Sequence, residues 1–185
     1  MKFLTLLAVP AALALAACAS MGDPIPATAF MANLRGLCGH SYAGHVAQSE
    51  AVDASYRDLP MTMGPVACSV REVRIPYAIG PDASRTWVIS REGRGLRLRH
   101  LHQPADGSVD PVSDYGGVTT TAGTAESQDF PIDAASKALV TRQGLMSSVD
   151  NVWTVEVHPG ASFAYVLRRP DRHLRVEFDL TRPLP

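Results

Sequence analysis

Phe163-Ala164-Tyr165-Val166-Leu167-Arg168-Arg169-Pro170-Asp171-Arg172-His173-Leu174-Arg175-Val176-Glu177-Phe178-Asp179-Leu180 is the stretch whose reading decides the fold. Leu174, Val176, Phe178 and Leu180 alternate with Arg175, Glu177 and Asp179, the period of two that gives a strand one dry face and one wet face. Phe163, Tyr165 and Leu167 alternate in the same way with Ala164, Val166 and Arg168, and Pro170-Asp171-Arg172-His173 supplies a turn between the two runs. Upstream, Trp153, Val155 and Val157 alternate with Thr154, Glu156 and His158 before the turn Pro159-Gly160. Three strands joined by short turns predict an antiparallel meander.

The middle of the chain repeats the rhythm. Strands are expected over 70–77, 86–90 and 96–102, with turns at Glu92-Gly93-Arg94-Gly95 and Pro104-Ala105-Asp106-Gly107. Residues 36–46 are expected to supply the first strand, bent at glycines 36, 39 and 44. The one helical candidate is 133–143, with Asp133 as N-cap and Gly144 placed to end it. Residues 116–125, rich in Gly and Thr, read as a long loop or a poorly specified edge strand. The predicted class is all-β: an antiparallel barrel or a sandwich with one short connecting helix. Leu34-Arg35-Gly36-Leu37-Cys38-Gly39 resembles the opening of lipocalin-like, or calycin-like, barrels, with Cys38 where those carry tryptophan.

The N-terminus carries an address. Lys2 precedes the apolar run 3–17, too short to span a bilayer comfortably and ending in small residues before a cysteine. Leu15-Ala16-Ala17-Cys18 resembles the lipobox of bacterial lipoproteins. That resemblance implies a signal peptide over 1–17, lipidation of Cys18, and a chain anchored at the cell envelope and facing the periplasm. Ala19, where an aspartate would favour the inner membrane, points to the outer membrane. Residues 18–33, with two prolines and no sustained periodicity, read as a tether, and 34–185 as a single domain of a length that supports a hydrophobic core.

A formal charge of −1 over 185 residues offers no basic surplus to neutralise phosphates, so nucleic acid is not an expected partner. With Cys18 assigned to lipid, Cys38 and Cys68 form an even pair in an oxidising compartment, and a disulfide is expected. There is no Gly-x-Ser-x-Gly elbow, phosphate loop, His-Glu-x-x-His or Cys-x-x-Cys.

His100 and His102 stand two apart on a predicted strand and share a face. With Asp106 four residues on, they resemble the first motif of cupins, which implies a metal-dependent enzyme as an alternative function. Against this stands the reading of two histidines at a strand end beside a turn, with no second motif to complete the three ligands a metal site needs. Asp110, Asp114 and Tyr115 gather carboxylates and a phenol before Gly116-Gly117, a pattern that also suits turn chemistry. Arg85, beside Trp87, is suited to an anion or to a cross-strand carboxylate. Trp87 and Trp153 sit on apolar faces and are expected in the core. Residues 70–182 are similar to a group of uncharacterised proteobacterial secreted proteins, through Asp82-Ala83-Ser84-Arg85-Thr86-Trp87, 96–102, Asp114-Tyr115-Gly116-Gly117, Phe130-Pro131-Ile132-Asp133 and 163–180; the resemblance implies no activity.

The expected function is therefore a non-enzymatic binding module, without cofactor, for a small ligand or an envelope protein. Arg85, His100, His102, Asp106, Asp114 and Tyr115 are its candidate contacts. A structural envelope protein without a pocket is the remaining alternative.

Overall fold

A computed structural model describes residues 25–185. Cys18, the signal peptide over 1–17 and the first part of the expected tether lie outside the described residues. Eleven strands form one antiparallel sheet: β1 (Ser41–Gln48), β2 (Met61–Met63), β3 (Ala67–Cys68), β4 (Glu72–Ile79), β5 (Asp82–Glu92), β6 (Gly95–His102), β7 (Tyr115–Val118), β8 (Ser127–Pro131), β9 (Val152–His158), β10 (Ser162–Arg169) and β11 (Arg172–Leu184). The pairing order is β7-β6-β5-β4-β2-β1-β11-β10-β9-β8, with β3 on the side of β4. The meander read from the sequence is β9-β10-β11, in register with Tyr165 opposite both Val155 and Val176. A single continuous sheet whose ends meet is a barrel, not a sandwich.

Closure falls on the Gly-Gly pair. β7 and β8 approach through the isolated antiparallel bridge Gly117–Ile132. A Cβ on Gly117 would overlap the carbonyl oxygens of Pro131 and Phe130, and one on Gly116 would overlap that of Leu98, so the seam forms only with glycine there. Residues 116–125, expected as a long loop or a poorly specified edge strand, thus begin inside the short strand β7 and continue as a loop. The helix α2 (Ala134–Arg142) follows as predicted, its N-cap Asp133 accepting the Ser136 N–H at 2.8 Å. Its first turn also fastens the seam: the Gly116 N–H donates to Ser136 Oγ at 2.8 Å and the Asp133 N–H to the Gly116 carbonyl at 3.1 Å.

The N-terminal boundary is corrected. The tether expected over 18–33 does not extend through 26–33, because Pro26–Arg35 is the helix α1, and the domain begins before Leu34. Pro26 opens the helix, where its missing N–H is no loss, and Ala27, Phe30, Met31 and Leu34 bury one face at spacings of three and four. Gly36 is the C-cap of this helix instead of a bend in β1. Among the described residues there are therefore two α-helices where one was expected, plus short 3-10 segments at Ala51–Tyr56 and Met146–Ser148.

α1 packs on β4, β8 and β9, strands from opposite sides of the ring, and plugs one end of the barrel. The Asn33 side-chain amide fastens it to the Ala125 carbonyl at 2.8 Å. Cys38 and Cys68 are bridged, with their Cα atoms 5.9 Å apart, and tie the segment after α1 to β3. Phe163, Phe178, Val157, Ile89, Leu96 and Val73 fill the interior. No helix among the described residues is long and apolar enough to cross a membrane.

Candidate functional site

At the end of the barrel away from α1, the interior opens into a cavity of about 240 Å³. Alternation along the strands places its walls. Tyr77 on β4, Trp87 on β5, His100 on β6, Trp153 on β9 and Tyr165 on β10 all point inward. Trp87 lies stacked between Tyr77 and Tyr165, with ring centroids 4.4 Å away on each side. His100 stacks on Tyr115 at 4.8 Å and meets Trp153 at 4.8 Å. Tyr56, Arg85, His102, Val112 and Leu145 also line the cavity, and Leu145 is 40% exposed, which marks the rim.

His100 is fully engaged. Its Nδ1 lies 3.3 Å from the Tyr115 carbonyl oxygen and its Nε2 2.7 Å from the Tyr165 hydroxyl. A carbonyl can only accept, so Nδ1 carries the proton and Nε2 accepts from Tyr165. Burial drives the imidazole pKa down to about 3; the Tyr115 carbonyl opposes this, while His102 and Arg99 add to it. Burial also pushes the Tyr115 phenol up to about 12 and the Tyr165 phenol well above its ordinary value. The site holds neutral rings.

Its remaining polar groups come in pairs. His102 Nδ1 lies 2.9 Å from Asp110 Oδ2. Burial alone would raise the Asp110 carboxyl, but the Val112 N–H, His102 and Arg85 together hold it below its usual range. Arg85 pairs with Asp82 on its own strand, not across the sheet. The Asp82 carboxyl is lowered to about 2, first by the hydroxyl and N–H of Ser84 and then, against some burial, by Arg85. Arg172 holds the fully buried Asp53 through two bonds, Nε to Oδ2 at 3.0 Å and Nη2 to Oδ1. One polar group stands apart: Asn151, 6% exposed and lining the cavity, has a buried Oδ1 with no hydrogen-bond partner among the described residues.

Of the residues singled out from the sequence, the structure brings Arg85, His100, His102 and Tyr115 to the cavity. Asp106 and Asp114 do not join them. Asp106 lies in an exposed turn and accepts the Ser108 N–H at 2.9 Å. Asp114 is exposed in a left-handed conformation (φ 56°), with Arg99 at 3.7 Å, and serves the turn into β7. His158 stands near the plugged end beside Glu126 and Glu156, at 3.3 and 3.9 Å. The acid of the cupin-like pattern is thus engaged in its own turn and does not line the cavity with the two histidines. Among the described residues no group of three or more His, Cys, Asp and Glu is placed to hold a metal ion.

Sequence reasoning missed Tyr165, Arg172, Tyr56 and Asn151. Tyr165 left a signal, because a hydroxyl on an otherwise apolar inward face requires a buried partner. Arg172 looked like a turn residue, and its partner Asp53 lies 119 positions away. Asn151 follows a loop, where asparagine is ordinary.

The fold and cavity define a small antiparallel β-barrel plugged by a helix at one end and lined with aromatic rings at the other. Compared with known protein families, curated proteins and solved structures, the chain matches none.

Proposed function

We propose that this chain is a non-enzymatic binding module that takes a small ligand through the open end of its barrel and is held at the cell envelope by a lipid on Cys18. The observation that carries the reading is the cavity: a concave space with apolar aromatic walls and a few convergent polar groups, the usual anatomy of a small-molecule site. At about 240 Å³ it falls below the roughly 300–1,000 Å³ typical of drug-sized ligands, and a cavity of about 150 Å³ already takes a benzene-sized molecule. A one- or two-ring ligand suits it. Burial holds the His100 imidazole and the Tyr115 and Tyr165 phenols in their uncharged forms, which suits a site that receives an apolar ring.

The anchor rests on Leu15-Ala16-Ala17-Cys18 after a basic start and an apolar run. One acyl chain binds membranes only marginally, whereas several hold firmly. A domain anchored at the outer membrane and facing the periplasm is the corresponding location. The test is mass spectrometry of small molecules recovered with the natively purified full chain, compared with Leu145→Trp, which fills the rim at an exposed position. A molecule retained by the native chain and lost from the variant is the expected result. No molecule in either, with crosslinked envelope proteins recovered instead, would favour a protein partner. Separately, Cys18→Ala found still in the membrane fraction would overturn the anchor.

A further inference from the structure

We infer that the plugged end of the barrel carries a second membrane contact, a basic face around the β3–β4 and β5–β6 turns that lies against an anionic phospholipid bilayer. The inference rests on the lipid-anchor reading above and adds to it a surface on the folded domain.

Three segments meet to build the face. The β3–β4 turn, Ser69-Val70-Arg71, sits beside the end of α1, where the Arg35 guanidinium donates to the Val70 carbonyl at 3.1 Å. The Arg91 guanidinium, near the end of β5, donates to the Thr28 hydroxyl in the first turn of α1, so the β5–β6 turn with Arg94 flanks the same helix. Arg35, Val70, Arg71, Arg91 and Arg94 are all exposed. Within α1 and residues 69–74 and 91–97, six arginines stand against two glutamates, and each glutamate is already paired, Glu72 with Arg74 at 3.0 Å and Glu92 with Arg97 at 2.5 Å. The whole chain carries a formal charge of −1, so this positive surplus is a local concentration. Val70 tops its turn at 92% exposure, and Ile25, where α1 begins, is 50% exposed. Aliphatic tips among arginines are the composition of an interfacial membrane contact. Each arginine within a Debye length of an anionic surface strengthens binding by roughly fivefold.

The position of the anchor points the same way. Cys18 stands seven positions before Ile25, and seven residues reach at most about 25 Å whatever their conformation. A lipid on Cys18 therefore holds the bilayer within that distance of the α1 end of the barrel. Val109, in the loop after β6 at the mouth, is as exposed as Val70, at 90%, but its neighbours are Asp106 and Asp110, which an anionic surface repels. With the basic face against the headgroups, the cavity opens away from the bilayer, towards ligands dissolved in the periplasm.

The test places an indole at either end of the full chain in its mature form, as Val70→Trp or Val109→Trp, on vesicles with brominated acyl chains. The vesicles are phosphatidylcholine alone or mixed with phosphatidylglycerol. Trp87 and Trp153 are buried and give a constant background. The Val70→Trp indole should be quenched on phosphatidylglycerol vesicles and the Val109→Trp indole should not. Adding Arg71→Glu and Arg94→Glu, or raising the salt, should weaken the quenching at position 70 at least severalfold. A chain retained on the vesicles with both indoles quenched alike, with neither quenched, or with no dependence on phosphatidylglycerol overturns the basic face and leaves the anchor standing. Mass spectrometry of the N-terminal peptide reads the anchor separately. A chain with no lipid on Cys18 and no vesicle binding overturns both; one with no lipid that still shows phosphatidylglycerol-dependent quenching at position 70 supports the face and overturns the anchor. Hydrogen exchange on the unmodified chain gives the same decision without a variant: phosphatidylglycerol vesicles should slow exchange at 69–71 and 93–95 and leave 105–110 unchanged, and the reverse pattern overturns the face.

Discussion

Between Tyr115 and Tyr165, His100 is 5% exposed, and burial without a carboxylate partner takes its pKa down to about 3 from 6.5. The folded state therefore refuses a proton that the unfolded chain accepts. Stability from this group is full above pH 6.5 and falls as pH drops from there towards 3, by about 1.4 kcal/mol per unit where the unfolded histidine is protonated and the folded one is not. Urea unfolding between pH 7 and 5 should show the onset of this slope, and His100→Gln should remove it there, above the range where carboxylates such as Asp82 and Glu156 contribute. Tyr165→Phe deletes the hydroxyl that His100 Nε2 accepts from and should cost about 1–3 kcal/mol in the same assay at neutral pH. Asn151→Leu should do the reverse and raise the melting temperature, since it replaces an unpaired buried carbonyl with an apolar group of similar size.

The elements differ in how openly the sequence declares them. β9, β10 and β11 carry unbroken alternation, and their inward residues Val155, Phe163, Val176 and Phe178 are all buried. Yet Ala164 and Val166 on the other face are buried too. Around them lie long side chains in ion pairs, Arg175 with Glu156 at 2.8 Å and with Glu177 at 2.7 Å. α1 was hidden because a short run that opens on Pro26 and mixes small, polar and apolar residues resembles a linker; its buried face of Ala27, Phe30, Met31 and Leu34 is defined only against a barrel end. Phe30→Ala should cost about 3–5 kcal/mol by opening that plug. The seam between β7 and β8 depends on α2. Ser136→Ala leaves the Gly116 N–H unpaired and should cost about 1–3 kcal/mol. Gly117→Ala should cost more, because carbonyl oxygens on β8 occupy the space its methyl needs. Chemical denaturation of the two variants ranks them, and a Gly117→Ala protein as stable as the parent would disprove the close approach.

At the scale of the molecule, the disulfide spans 30 residues, from the end of α1 to the β3–β4 side of the sheet. Reduction, or Cys38→Ser with Cys68→Ser, should lower stability by about 3–4 kcal/mol through the entropy regained by the unfolded chain. Unfolding measured with and without reductant checks this.

The chain by itself determined an all-β antiparallel body, the hairpins, a helix over 133–143 that forms as 134–142 and the pairing of the two cysteines, because each follows from local alternation, turn chemistry or counting. It also brought forward His100, His102, Arg85 and Tyr115, since residues two apart on a strand share a face. Only the tertiary structure decided barrel over sandwich, the plug made by α1, and the exclusion of Asp106 and Asp114 from the cavity. Those depend on which sheet edges meet and on partners such as Arg172 and Asp53, set 119 positions apart, and no local periodicity records a contact that exists only once the ring has closed.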